Sequence, residues 1–317
     1  MLSPSNLGTL LALVLALVAL PFLTSYYLAT DILIFSLLAL GFNLLLGFAG
    51  ILSFGQGAFF GIGAYAAGYV LLHSNMNIWI VLIIAMVLTG AAALIVAFLS
   101  ARSKSLYFVL LTLAFNQVIY FVALTWRPVT GGANGLRGFR RPNLDFGFAS
   151  ISLNSQLSFY LFIIFVLIVC LYVYLRIINS PFGKILIALR NNEHRLSAIG
   201  YRPRVYKILI FVIAGILSGL AGALYAFHWQ LVPVTSVHLN QSANIAFMTL
   251  LGGIGHPMGP LLGAAIFTWL SDAVSNIWAR WPLLFGFVII LIVLYMPGGL
   301  AGSWSTLRSM TRRSRRK

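Results

Sequence analysis

FGKILIALRNNEHRLSAIGYRPRVY, residues 182–206, is the longest polar interval between apolar spans in this 317-residue chain. It holds Lys184, Arg190, Arg195, Arg202 and Arg204, with Lys207 one place on, and one of only four acidic residues, Glu193. The rest of the chain avoids water. It is 61% hydrophobic and 8% charged, with a mean hydropathy of +1.00, where soluble domains carry roughly 25% charged residues. A surface so apolar has lipid as its solvent, so 182–206 must lie on a membrane face.

Working outward, uninterrupted apolar runs read as helices near 31–46, 77–100, 106–125, 158–177, 207–228, 241–255, 258–278 and 282–297, each near the ~20 residues of one crossing. Gly8–Leu23 reads as a first, retained helix, because it lacks a basic leader region and a small-residue cleavage site. Counting Gly47–Val70 as a further span gives nine or ten crossings. Strands of a barrel would alternate in polarity, and these runs do not. The expected class is therefore an all-α, polytopic helical bundle, with broken or Gly-rich helices. One transmembrane domain would occupy 1–303, followed by a basic tail, 304–317.

Charge orients it. With the N-terminus inside, 15 of the 20 Lys and Arg fall on the inner side and five outside, as the positive-inside rule requires. Both termini and the 178–206 loop would then be cytoplasmic, and the 126–158 loop external. Basic residues placed between spans in this way exclude nucleic-acid binding, and the tail RSMTRRSRRK would lie near anionic headgroups.

Two segments break the apolar pattern. GFAGILSFGQGAFFGIGAYAAGYV (47–70) carries seven glycines, with Ser53 and Gln56 among them. Glycines at this density serve either close helix packing, which Gly57/Gly61 and Ala64/Gly68 would fit, or a broken helix lining a cavity. The two glycines beside Gln56 point to a break. LGGIGHPMGPLLG (251–263) is interrupted by Pro257 and Pro260, each lacking a backbone donor. Paired interruptions in two halves of a transporter mark a translocation path. The path would involve Gly50, Ser53, Phe54, Gly55, Gln56 and Gly57 with Gly252, Gly253 and Gly255.

In the polar interval, Ser180-Pro181 starts a helix. Asn191 or Asn192 caps a second, with Glu193 in its first turn, and Gly200 ends it. Such a short helix either docks into a partner's groove or is a solvated loop that fixes topology. In the outer loop Gly131, Gly132, Asn134 and Gly135 demand turns. That loop is either an ordinary connection or a docking rim for an external partner.

Catalytic and metal signatures are missing. The four acids, Asp31, Asp145, Glu193 and Asp272, are scattered without pairing, and the five histidines show no metal spacing. His228 and His238 read as interfacial residues beside Trp229, and Cys170 as a core hydrophobe. GGANGLRG lacks the lysine and hydroxyl of a phosphate-binding loop. Asp31 and Asp272 near span ends are poor carriers for ion coupling, and a passive channel would not need the 180–206 segment.

RNNEHRLSAIGYRPRVYKILIFVIAGILSGLAGALYAF resembles the coupling-loop region of the high-affinity branched-chain amino acid permeases of the LivM type. Arg190, Asn192, Glu193, Ala198 and Gly200 match its pattern. The likeness extends to 47–68, to TGGANGL (130–136), to LLGGIGHPMGPLLGAAIF (250–267) and to MPGGLAG (296–302). Gln56, where that family more often has histidine, and the basic tail depart from it. The resemblance implies a permease subunit in a bacterial inner membrane. Its partners would be a second, related permease, two ATPase subunits that bind the ATP, and an external solute-binding protein. No cofactor or metal is implied in this chain, and no Walker motif is present. Branched-chain amino acids are the implied substrates. Urea or a short amide is the alternative within the family, and an ATP-independent channel or secondary transporter the alternative outside it.

Overall fold

The computed structural model describes residues 20–21, 24–74, 76–103, 105–145, 150–275, 281–295 and 298–302. The expected helix at Gly8–Leu23 and the basic tail lie almost wholly outside the described residues. Twelve α-helices follow in order among the described elements. They are α1 Tyr26–Asn43, α2 Gln56–His73, α3 Ile78–Ser100, α4 Ser105–Thr125, α5 Arg127–Thr130, α6 Gln156–Asn179, α7 Pro181–Asn191, α8 Glu193–Ala198, α9 Pro203–Trp229, α10 Leu239–Gly252, α11 Gly259–Ser275 and α12 Trp281–Tyr295. Four strands of two residues each (β1 Leu136–Arg137, β2 Leu144–Asp145, β3 Ser150–Ile151, β4 Leu231–Val232) form two isolated antiparallel pairs, β1 with β4 and β2 with β3. There is no closed sheet among the described residues, and the protein is an all-α membrane bundle.

Five of the described helical stretches are long and apolar enough to span a bilayer by themselves: Tyr26–Ala49, Ile78–Ser100, Leu106–Thr125, Gln156–Asn179 and Pro203–Trp229. The remaining long helices, α2, α10, α11 and α12, are shorter or more polar. Of the five, the first is the most enclosed and Leu106–Thr125 the most exposed. Ile83, Val87, Phe98, Val118 and Phe121 point outward, as expected for a surface solvated by lipid.

The core is built around α9, which packs against α1, α2 and α3. Small residues make this possible. A methyl at Gly63 would overlap the Gly219 carbonyl, one at Gly222 the Phe60 carbonyl, and one at Gly215 the Ala93 side chain. Helices that share lipid as solvent gain little from apolar burial against one another, so close backbone approach supplies the contact. The glycines of α2 are therefore packing residues.

One expectation needs correcting. Gly47–Val70 is not a single interrupted span. Residues 44–49 continue α1 as a π-helical turn, Gly50 ends it at φ +70°, residues 50–55 are non-helical, and α2 begins at Gln56. The break and the packing face both exist, in successive parts of the stretch. Likewise 251–263 is a reversal between two helices. α10 stops at Gly252, three residues short of the span expected from hydropathy, because Gly253 has φ +115°.

Candidate coupling junction and polar seam

The segment after α6 folds as its caps dictate. The Ser180 hydroxyl accepts from the Gly183 amide at 3.3 Å with Pro181 in the first turn. The Asn192 Oδ1 accepts from the Arg195 amide at 3.0 Å, placing Glu193 at the positive end of α8. Gly200 at φ +91° turns the chain away. Leu186, Leu189 and Leu196 anchor the two helices inward, while His194, Ala198, Ile199 and Tyr201 are exposed. Glu193 is half exposed and bonds Lys207 at 2.7 Å.

Arg190, on the last turn of α7, remains exposed at this surface and reaches across to the end of the bundle. Its Nη1 donates to the Gly47 carbonyl at 2.5 Å. Its aliphatic carbons lie over Gly50, where an added methyl would stand 2.8 Å from Cγ, and its guanidinium lies beside Gly255. Next to it Asn43 donates to the Tyr174 hydroxyl at 2.8 Å and the His256 carbonyl at 3.2 Å, and accepts from the Gly255 amide at 3.0 Å. Gly47 is required here, because a methyl would collide with the Asn43 carboxamide. The polar interval and the two Gly-rich interruptions, separate in sequence, thus meet around Arg190 and Asn43. The His256 imidazole, in the loop between α10 and α11, is pushed below its ordinary pKa by burial.

Gly252, Gly253 and Gly255 serve this junction. They pack backbone to backbone against Gly259, Gly298 and Gly47. The other predicted path residues divide. Gly50 lies at the junction, whereas Ser53, Phe54, Gly55, Gln56 and Gly57 form a polar seam inside the bundle. The Phe54 amide donates to the Thr112 hydroxyl at 3.2 Å, and the Gly55 amide to the Ser53 hydroxyl at 3.1 Å. Ser242 of α10 clasps the start of α2, accepting from the Gly57 amide at 2.9 Å and donating to the Phe54 carbonyl at 2.7 Å. The fully buried Gln56 accepts from Ser218 at 2.6 Å through Oε1, and its Nε2 has no partner.

At the opposite end of the bundle lies the 126–155 loop. Gly131, Gly132 and Gly135 have positive φ, and methyls there would meet the backbone or Arg127. Asn134 sits in the 3₁₀ turn between them and its carbonyl accepts from Arg137. The loop is fastened to α9 by the β1–β4 pair and by Arg141, which donates to the Phe227 and His228 carbonyls at 2.8 Å each and lies over the Phe159 ring. His228 is buried and stacked on Phe159, 3.7 Å from Asp31, and Trp229 donates to the same carboxylate.

Sequence reasoning missed Asn43, Tyr174, Ser218, Ser242 and Arg141. A carboxamide within an apolar span, as at Asn43, was a signal, since a polar group at membrane depth needs a partner. Arg141 carried none that distinguished it from Arg140.

Comparisons with known proteins agree with the fold. The family described as branched-chain amino acid transport system / permease component matches residues 24–295. The LivM permease protein of the high-affinity branched-chain amino acid transport system of Escherichia coli is 27% identical over 92% of this chain and 74% of its own length. A probable LivM of Methanocaldococcus jannaschii is 26% identical over 76% and 77%. The ribose import permease RbsC of Haemophilus influenzae is 29% identical over 67% and 65%. No solved structure matches the chain.

Proposed function

Because the chain belongs to the branched-chain amino acid transport permease family, we propose that it is the membrane-spanning subunit of an ATP-driven importer of branched-chain amino acids. In this reading residues 1–303 form the permease domain and 304–317 a basic tail on the cytoplasmic face. The 178–206 loop is cytoplasmic and docks on ATPase subunits through α8. A second permease completes the pathway, and an external solute-binding protein delivers substrate to the 126–158 loop. The membrane is the bacterial inner membrane. No ATP site is assigned to this chain, and the energy comes from its partners.

The observation that carries the reading is Arg190. One side chain joins the exposed coupling helices to both reversals of the bundle. Closure of an ATPase dimer would push α8, whose anchor Leu196 passes the movement to α7 and its anchors Leu186 and Leu189, and so to Arg190. The 44–55 and 253–258 segments would then shift together, and the hydrogen-bonded seam from Ser53 to Gly57 would open. Helices packed through glycine contacts rock as bodies, because such packing has discrete arrangements. Arg190, Asn192, Glu193, Ala198 and Gly200 are the coupling residues. Gly50, the seam, and Gly252, Gly253 and Gly255 are the moving parts of the path. Gly131, Gly132, Asn134 and Gly135 shape the external docking loop.

The likeness to a ribose permease makes substrate choice the decisive test. The tagged chain with its co-purifying subunits, reconstituted with ATP, should take up labelled leucine, with isoleucine and valine competing and urea or ribose indifferent. Uptake of urea or ribose instead would replace the substrate, and leucine flux without ATP would replace the transporter class.

A further inference from the structure

A cavity of about 450 Å³ opens at the His228 end of the bundle, between the start of α10 and the aromatic faces of α1, α2 and α9. Its volume falls within the roughly 300–1,000 Å³ of small-molecule sites. One wall is aromatic: Phe35, Phe60 and Tyr225 stand with ring centroids 5.3 to 6.3 Å apart. The other wall is polar and includes Ser236, Gln241 and Asn244. Its lining contains no Asp, Glu, Lys or Arg.

We propose that this cavity is the outer holding site of the permease, where an aliphatic amino acid rests as a zwitterion after leaving the binding protein. The inference rests on the amino-acid reading above and names a site that it lacks. α10 is a 14-residue helix whose N-terminus opens on the cavity, where His238 caps it by accepting from the Asn240 and Gln241 amides. Ser236 borders the cavity, with its hydroxyl oxygen enclosed by the protein. The carboxamide N–H groups of Gln241 and Asn244 are donors suited to a carboxylate. The carboxamide oxygens of Gln241 and Asn244 are acceptors suited to the ammonium group, and the three rings take the alkyl side chain. With no Asp, Glu, Lys or Arg in the lining the site stays weak, as transit requires, since a substrate held by ion pairs would not leave.

Position along α10 links the site to the rest. Ser242, between the cavity-lining Gln241 and Asn244, clasps Phe54 and Gly57 of the seam, and the far end of the same helix, Gly252, abuts the Arg190 junction. An occupant therefore touches the helix that must move for the seam to open.

The test uses the complete transporter in vesicles with its binding protein, in a Cys170→Ser background. Asn244→Cys and, as a second variant, Gln241→Cys are labelled from outside with a small thiol reagent. Leucine at about four times its dissociation constant should slow labelling of either by about fivefold, and the attached reagent should block uptake. A cysteine at Asn154, outside the cavity, should label equally fast with and without leucine. The cavity is overturned if uptake is intact but leucine leaves labelling of both variants unchanged, or if Asn154→Cys is protected equally, which would report a global change. Unmodified vesicles that take up no leucine would instead defeat the substrate assignment on which the cavity rests.

Discussion

The Arg190 guanidinium donates to the Gly47 carbonyl at 2.5 Å across 143 residues of sequence. Gly47 lies in the π-helical end of α1, whose carbonyls are not all used by the helix itself, and an arginine is a strong charge-assisted donor to such a group. The contact ties the polar 182–206 segment to the most enclosed of the described apolar spans.

Gly50 tests how tightly Arg190 is held. A side chain at φ +70° is strained by roughly 1–2 kcal/mol, and its Cβ would press on Arg190 Cγ. Gly50→Ala should still insert and assemble, yet lose most leucine uptake. Unaltered uptake in a stably expressed variant would show that Arg190 moves freely.

Asn43→Leu should be a stability variant. It leaves the Gly255 amide and the Tyr174 hydroxyl without their partner, at about 1–3 kcal/mol for a buried group so abandoned. Thermal unfolding in detergent should fall by several degrees. An unchanged midpoint would mean that water replaces the carboxamide.

Packing predicts opposite outcomes for a glycine at the α2–α9 crossing and one in α12. Gly63→Ala should abolish folded protein, because the methyl overlaps the Gly219 carbonyl. Gly286→Ala in α12 meets open space and should be neutral or slightly stabilising, by up to about 1 kcal/mol from helix propensity. Fluorescence-detected size exclusion of the two variants decides it.

Glu193 separates docking from local pairing. Its bond to Lys207 is partly exposed and is worth at most about 1 kcal/mol, so Glu193→Arg should hardly change stability. It should nonetheless uncouple uptake from ATP hydrolysis. Adding Lys207→Glu restores an ion pair but not the carboxylate on α8, and should not restore uptake. Full recovery in the double variant would assign Glu193 to the pair alone.

Much of the fold was legible because lipid imposes a long apolar run for each long span, and because caps are local. Ser180-Pro181, Asn192 and Gly200 ended and began helices where their chemistry required. The 47–70 stretch was divided wrongly because hydropathy does not register a reversal made by one residue in a left-handed conformation. At Gly50 the chain turns while remaining apolar on both sides. The junction itself was not legible. Its members were singled out for separate reasons, as a basic loop and as two glycine runs, and nothing local to Arg190 names Gly47 as its acceptor. The buried seam was half legible. Gln56 stood out as a polar residue among glycines, whereas Ser218 and Ser242 had no such context.

The central claim is that Arg190 carries movement from the ATPase-facing helices to the bundle. The most direct test is the ratio of leucine imported to ATP hydrolysed by the reconstituted complex, wild type against Arg190→Ala, with subunit composition checked by gel. The account predicts an assembled complex that hydrolyses ATP with little or no leucine movement. An Arg190→Ala complex that imports leucine at the wild-type ratio would contradict it.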